Sequence, residues 1–202
     1  MRALRRDHPG RAPRGRTDGE VVHLVQGSRG TLDLRRPLTV FLAVSIATLV
    51  LDQVTKALVR ASFEPGESLV LIEGVFRLTY VRNVGAAFGL LPGYQPIFMA
   101  VSIIVLVVVW AYWRRYHPTA WPTVVALALI VGGSVGNLID RAFLGRVTDF
   151  FDAAFIDFPV FNIADSAIVV GVGILIVWLF VAPEPEVQTA EPDCADSPVD
   201  EA

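Results

Sequence analysis

The sequence predicts a membrane protein, mainly α, in which four transmembrane helices form a bundle that carries a small β element on its outer face. Three observations carry this prediction. First, the 202-residue chain is 53% hydrophobic with a mean hydropathy of +0.54. Soluble domains are about 45 to 50% apolar even with glycine counted. Second, four apolar stretches each approach the roughly 20 helical residues that a bilayer core requires. Third, the charges are segregated. Residues 1–36 hold nine arginines, whereas residues 182–202 hold seven acids and no Lys or Arg. The basic leader, residues 1–37, and the acidic tail, residues 183–202, lack the apolar content for a core and are expected to be disordered.

The first span is expected at residues 38–59. Its apolar run follows a long arginine-rich lead and continues into Asp52 and Lys56 without a small-residue cleavage pattern, so it does not read as a cleaved signal peptide. An outer segment follows at about residues 69–89. Leu69-Val70-Leu71-Ile72 and Val75-Phe76-Arg77-Leu78-Thr79-Tyr80-Val81 read as two strands joined at Glu73-Gly74. It ends in Asn83-Val84-Gly85-Ala86-Ala87-Phe88-Gly89, where small residues permit close approach of an extended peptide. The remaining spans are expected at 96–113, 122–143 and 163–181, with residues 144–162 read as a short outer loop between the last two.

Basic residues in short flanking segments set the orientation. Arg35-Arg36 precede the first span, and Arg114, Arg115 and His117 lie between the second and third, so both regions belong in the cytoplasm. Four crossings then leave both termini cytoplasmic and bring Asp149 and Asp165 to the outer face. Antiparallel neighbours joined by a short loop tend to pack together, which makes the end of span three and the start of span four adjacent.

Polar side chains in or beside the spans are the candidates for function, since such residues are expensive in a membrane. Asp52 and Lys56 stand at i,i+4 on one helix face, as a structural ion pair or as support for a site. Asn137, Asp140 and Arg141 fall within one turn of one another, after the small-residue run Gly132-Gly133-Ser134 and Gly136. Arg141 offers five donors to loop carbonyls or a substrate backbone. Asn162 and Asp165 have the spacing of a helix cap and its answering carboxylate, which explains both without catalysis. Asp149 lies beside Phe150-Phe151, but Asp152 and Asp157 compete with it, and spacing alone does not rank them.

Five ordered runs carry a resemblance: Asp52-Gln53-Val54-Thr55-Lys56; Asn83 to Gly89; Gly132 to Arg141; Val147-Thr148-Asp149-Phe150; and Phe161-Asn162-Ile163-Ala164-Asp165-Ser166-Ala167. Over about residues 38–182 the chain closely resembles the bacterial lipoprotein signal peptidases, or signal peptidase II. The resemblance implies a four-helix intramembrane aspartic endopeptidase with an extracytoplasmic β-cradle. Such an enzyme cuts prolipoproteins before the diacylglyceryl-modified cysteine in the bacterial inner membrane. By position in the motifs, Asp149 and Asp165 map to the catalytic pair. Asn83, Asn137, Arg141 and Asn162 map to positions that line the site and hold substrate backbone, and Asp52, Lys56 and Asp140 to supporting ones. No cofactor and no metal are implied, and the partners are diacylglyceryl-modified prolipoproteins and membrane lipids, with the enzyme a monomer.

The chemistry of the residues agrees with that implication. One ionised Asp can take a proton from water while a protonated Asp donates to the scissile carbonyl, and two neighbouring carboxylates do not both ionise readily. A metalloprotease is disfavoured because His8, His23 and His117 lie in the leader or the cytoplasmic loop and no HExxH occurs. Cys194, the only cysteine, excludes an internal disulfide. No internal repeat suggests a transporter. The basic leader reads as contacting anionic lipid rather than nucleic acid. The rival reading is a non-catalytic lipoprotein-binding or assembly membrane protein, which would not need both aspartates.

Overall fold

A computed structural model describes residues 35–85 and 95–182. Most of the basic leader, the whole acidic tail and the run Ala86 to Gly89 lie outside these residues. The order of elements is α1 (Arg35–Ser62), β1 (Ser68–Ile72), β2 (Phe76–Asn83), α2 (Gln95–Tyr116), α3 (Trp121–Leu144), β3 (Val147–Ala153) and α4 (Ile163–Val181). The four helices are each long and apolar enough to cross a bilayer. α1 begins three residues before the expected span and ends three after it. Arg35 and Arg36 start it, Pro37 sits in its first turn, where a missing N–H costs nothing, and Arg60 extends it beyond the apolar stretch.

α3 is the centre of the bundle and the most buried of the four helices, with α1, α2 and α4 all packed against it. Small residues make this possible. A Cβ added at Gly133 would collide with the carbonyl oxygen of Ala164 on α4, and one added at Gly136 would collide with Asp52 Oδ2 on α1. These two glycines let α3 approach both neighbours where the polar residues gather. The outward faces, among them Leu58, Val108, Val169 and Leu179, remain exposed as lipid-facing surface must.

The sheet contains one strand that the sequence reading missed. Residues 147–153, expected in a loop, form β3, which pairs antiparallel with β2 to give a three-stranded sheet of order β1-β2-β3. The hairpin turns where expected, with Gly74 at φ 71° and Val75 N–H donating to the Ile72 carbonyl (3.0 Å). A register shift between Leu78 and Val81 leaves Asp149 opposite Val81 and Asp152 opposite Arg77. The sheet is fastened to the bundle by Val59, Tyr80 and Phe150, which form a buried apolar cluster.

α3 ends at Gly145 in the left-handed region (φ 65°), its N–H donating to the Arg141 carbonyl, so only two residues separate helix from strand. α4 opens on Asn162 with a reciprocal capping box. Asn162 Oδ1 accepts from Asp165 N–H (3.0 Å), and Asp165 Oδ2 accepts from Asn162 N–H (3.3 Å).

Gly133→Ala is expected to lower stability by about 1 to 3 kcal/mol, because backbone of α4 stands where the methyl would go. Gly173→Ala, on an open part of α4, should be neutral or slightly stabilising. Thermal unfolding of the two variants in detergent checks the contrast, and equal melting curves would refute it.

Candidate active site

α1 buries a stripe formed by Ser45, Thr48, Asp52, Lys56 and Val59 against the rest of the bundle. Within it, Lys56 is fully enclosed and has three acceptors for its three N–H bonds. Nζ lies 2.9 Å from Asp52 Oδ2 and 3.5 Å from Asp140 Oδ2, and donates to Asn137 Oδ1 at 2.8 Å. Asp52 spends its other oxygen on α4, accepting the Ala164 N–H at 3.0 Å. Asp140 accepts the Thr148 N–H at 3.0 Å, which anchors the residue just before Asp149. The group expected to be supporting therefore joins α1, α3, α4 and β3 at one point.

Three asparagines then aim the two candidate carboxylates, and the orientation of each amide is forced. Lys56 can only donate, so Asn137 turns its Oδ1 to the ammonium and its Nδ2 to Asp165 Oδ1 (2.7 Å). Asn162 Oδ1 is occupied by the Asp165 N–H, so its Nδ2 donates to Asp149 Oδ1 (2.6 Å) and to Asn137 Oδ1 (3.2 Å). Asn83 Oδ1 accepts from Gly85 N–H (3.0 Å), leaving Nδ2 for Asp149 Oδ2 (2.8 Å). The capping role of Asn162 and Asp165 is real, and it coexists with the second set of contacts: Asp165 caps through Oδ2 and receives Asn137 through Oδ1.

Asp149 and Asp165 open onto one cavity of about 290 Å³, whose polar lining is completed by Asn83 and Arg141. Its remaining walls include Phe98, Val147, Phe158, Pro159 and Phe161. Arg141 lies over the ring of Phe98, 5.7 Å from its centroid, and donates to the Asn137 carbonyl (3.4 Å). Asn137 and Asn162 stand behind the carboxylates rather than on this lining. Asp149, on β3 outside the helical spans and 2% exposed, has its pKa pushed up to about 6. Burial is the main cause and the charge of Asp165 the next, opposed by the amides of Asn83 and Asn162 and by Lys56.

The competing loop acids have other positions. Asp152 meets Arg77 across the strands (Nε to Oδ2 2.8 Å, Nη2 to Oδ2 2.7 Å) and accepts from Thr79 Oγ1 (2.8 Å). Asp157 is exposed. Among the described residues, no group of three His, Cys, Asp or Glu side chains is arranged to hold a metal ion.

Sequence reasoning missed Gln53 and Arg60. Gln53 Nε2 reaches Asp52 Oδ2 (3.1 Å), the Gly136 carbonyl (3.1 Å) and Asp140 Oδ1 (3.4 Å). Arg60 Nη1 donates to Thr148 Oγ1 (3.1 Å) and lies 3.7 Å from Asp140 Oδ1. Both carried a signal. Gln53 is a polar residue within a span, and Arg60 continues the i,i+4 series of Asp52 and Lys56. Phe98 carried none, since one aromatic in an apolar span looks like any other.

Comparison with known proteins finds relatives over most of the chain. The family model described as signal peptidase (SPase) II matches residues 44–181. A lipoprotein signal peptidase of Moorella thermoacetica is 43% identical over 152 residues, covering 75% of this chain and 99% of that protein. One from Geobacter sulfurreducens is 43% identical over 143 residues, covering 68% of this chain and 89% of that protein. A solved structure of a bacterial membrane enzyme superposes with a TM-score of 0.67 at 33% identity, covering 73% of this chain and 94% of that one.

Lys56→Met should destabilise the fold by about 3 to 5 kcal/mol, because Asp52 and Asp140 lose the cation buried between them. A thermal melt of the purified variant measures this, and an unchanged midpoint would show that the buried charges are not held by Lys56.

Proposed function

Because the chain belongs to the signal peptidase II family, we propose that Asp149 and Asp165 are the water-activating pair with which it removes signal peptides from prolipoproteins. The observation that carries this is the opening of both carboxylates onto one cavity, each held by asparagine N–H groups. The bond cut is the one before the diacylglyceryl-modified cysteine.

Asp149, whose surroundings favour its proton, starts protonated and donates to the scissile carbonyl oxygen. Water attacks the carbonyl carbon and loses a proton to Asp165, giving a neutral diol. The C–N bond then breaks as Asp165 returns that proton to the leaving nitrogen and Asp149 recovers its own from a diol hydroxyl. Both carboxyls end as they began. Asn83 and Arg141, also on the lining, offer donors to the peptide backbone or the developing oxyanion. Asn137 and Asn162 hold the carboxylates, while Asp52, Lys56 and Asp140 fix the frame.

The working unit is residues 38–182, flanked by the leader and the acidic tail. One copy of the chain supplies every residue of the site, so a monomer suffices. Arg35, Arg36, Arg114 and Arg115 favour an orientation with both termini in the cytoplasm and the carboxylate pair near the outer face of the inner membrane.

A gel-shift cleavage assay with a purified diacylglyceryl-modified prolipoprotein tests the pair. Asp149→Asn and Asp165→Asn should each reduce the rate by roughly 10²- to 10⁴-fold, while Asp152→Asn stays within a few-fold of the unaltered chain. Full cleavage by either of the first two variants would remove the pair from the mechanism.

The pH dependence gives a separate test. The donor from Asn83 favours ionised Asp149 and so holds its pKa down. Asn83→Ala should raise it, letting the working proton persist to higher pH. The alkaline limb of kcat/KM is therefore expected to move upward in this variant, and a downward move would contradict the assignment of the proton to Asp149.

A further inference from the structure

The end of the bundle opposite the carboxylates holds a second cavity that the peptidase chemistry does not use. The start of α1 and the end of α2 meet there through Phe41 and Trp113, whose ring centroids are 4.5 Å apart. Beside them a cavity of about 300 Å³ is lined by Leu38, Phe41, Val109, Trp110, Trp113 and Val131, with no titratable group on its walls. Leu38 lies 14 positions before Asp52, which is about 21 Å along a helix at 1.5 Å per residue.

Apolar walls alone would accept any hydrocarbon. The rim is selective. The guanidinium of Arg114 lies 5.8 Å from the centroid of the cavity-lining Trp110 ring, a stacked arrangement that holds the cation in place. Arg115 follows it, and Arg35 and Arg36 precede Leu38 on α1. Arg114 therefore sets a positive charge beside the apolar wall, and the other three arginines lie within about one helical turn of a lining residue along their helices, a rise of about 5.4 Å. The ligand that fits such a rim carries an anionic group joined to hydrocarbon at that separation. A phospholipid does, since its phosphate is joined to acyl chains through a short glycerol, and a guanidinium matches phosphate in shape and charge.

We propose that this cavity is a binding site for an anionic phospholipid, with an acyl chain seated between Leu38, Trp110 and Val131 and the phosphate held by Arg114. At about 300 Å³ it takes part of one chain rather than a whole lipid. The geometry is that of basic pockets between membrane helices, which select anionic headgroups by charge. The lipid would also pack α1 against α2, which touch little of each other elsewhere.

The test is native mass spectrometry of the purified full-length protein in detergent with equimolar dioleoylphosphatidylglycerol and dioleoylphosphatidylcholine. The unaltered chain should retain the phosphatidylglycerol adduct in preference. Arg114→Gln should reduce that preference about five-fold, the effect expected of one arginine near an anionic lipid. Val131→Phe, which fills the cavity, should lose both adducts, while Arg146→Gln at the other end of α3 should change neither. Continued prolipoprotein cleavage by Arg114→Gln and Val131→Phe establishes that each is folded. Equal retention of the two lipids by the unaltered chain, or undiminished preference in Arg114→Gln, would overturn the proposal. So would displacement of phosphatidylglycerol by an unlipidated signal peptide. Asp149→Asn should bind the lipid normally, so the result is independent of the assignment of the catalytic pair.

Discussion

The buried polar cluster that joins α1, α3, α4 and β3 is arranged around the ammonium of Lys56. A fully enclosed cation must spend each N–H on an acceptor, and the three acceptors come from α1 and α3 through Asp52, Asp140 and Asn137. Each of these then has a second contact to satisfy elsewhere. Asp52 takes up an N–H at the start of α4, Asp140 takes up one at the start of β3, and Asn137 turns its amide toward Asp165. One cation therefore sets the positions of both elements that carry the candidate catalytic carboxylates. The orientation of the Asn137 amide follows from the fact that an ammonium has no lone pair.

The charge balance of this region bears on its chemistry. Four carboxylates, Asp52, Asp140, Asp149 and Asp165, share the space with three cations, Lys56, Arg60 and Arg141. A low-dielectric cluster avoids a net charge, and one proton on the carboxylates removes the imbalance. On β3, burial pushes the pKa of Asp149 up to about 6. A peptide entering the cavity displaces water and strengthens desolvation, the leading cause of that shift. The singly protonated pair that the proposed hydrolysis requires is thus favoured by the same burial that makes the site costly to fold.

How much of this was legible in the sequence depended on the range of the signal. The four helices were visible because hydropathy is a local property summed over about 20 residues. The i,i+4 pair of Asp52 and Lys56 was visible for the same reason. β3 was not, since Val147 to Ala153 is a short run interrupted by two aspartates, and it is a strand only because β2 supplies an edge for it. The separation of Asp149 from Asp152 depended on knowing that β3 is a strand, since residues three apart on a strand face opposite sides and Asp152 meets Arg77 on the neighbouring strand. The cap at Asn162 was legible, but its second use was not. A capping box leaves one side of the carboxylate unspent, and only the approach of α3 shows what fills it.

Depth relates the catalytic pair to its proposed substrate. Asp149 stands on a strand outside the helices, and Asp165 is the third residue of α4, within one turn or about 5.4 Å of that helix's beginning. On the proposed reading the scissile bond is therefore cut at the edge of the hydrocarbon, neither in open water nor at mid-membrane. A cavity of about 290 Å³ with aromatic walls holds a few extended residues and is at the small end for ligand sites, too small for a folded domain. A substrate suited to it needs an apolar helix that ends at this depth, a short extended segment, and an anchor that keeps the segment from leaving the interface. A signal peptide followed by a lipid-bearing cysteine has those three parts in that order. Selectivity then comes from where the bond is held as much as from contacts with its side chains.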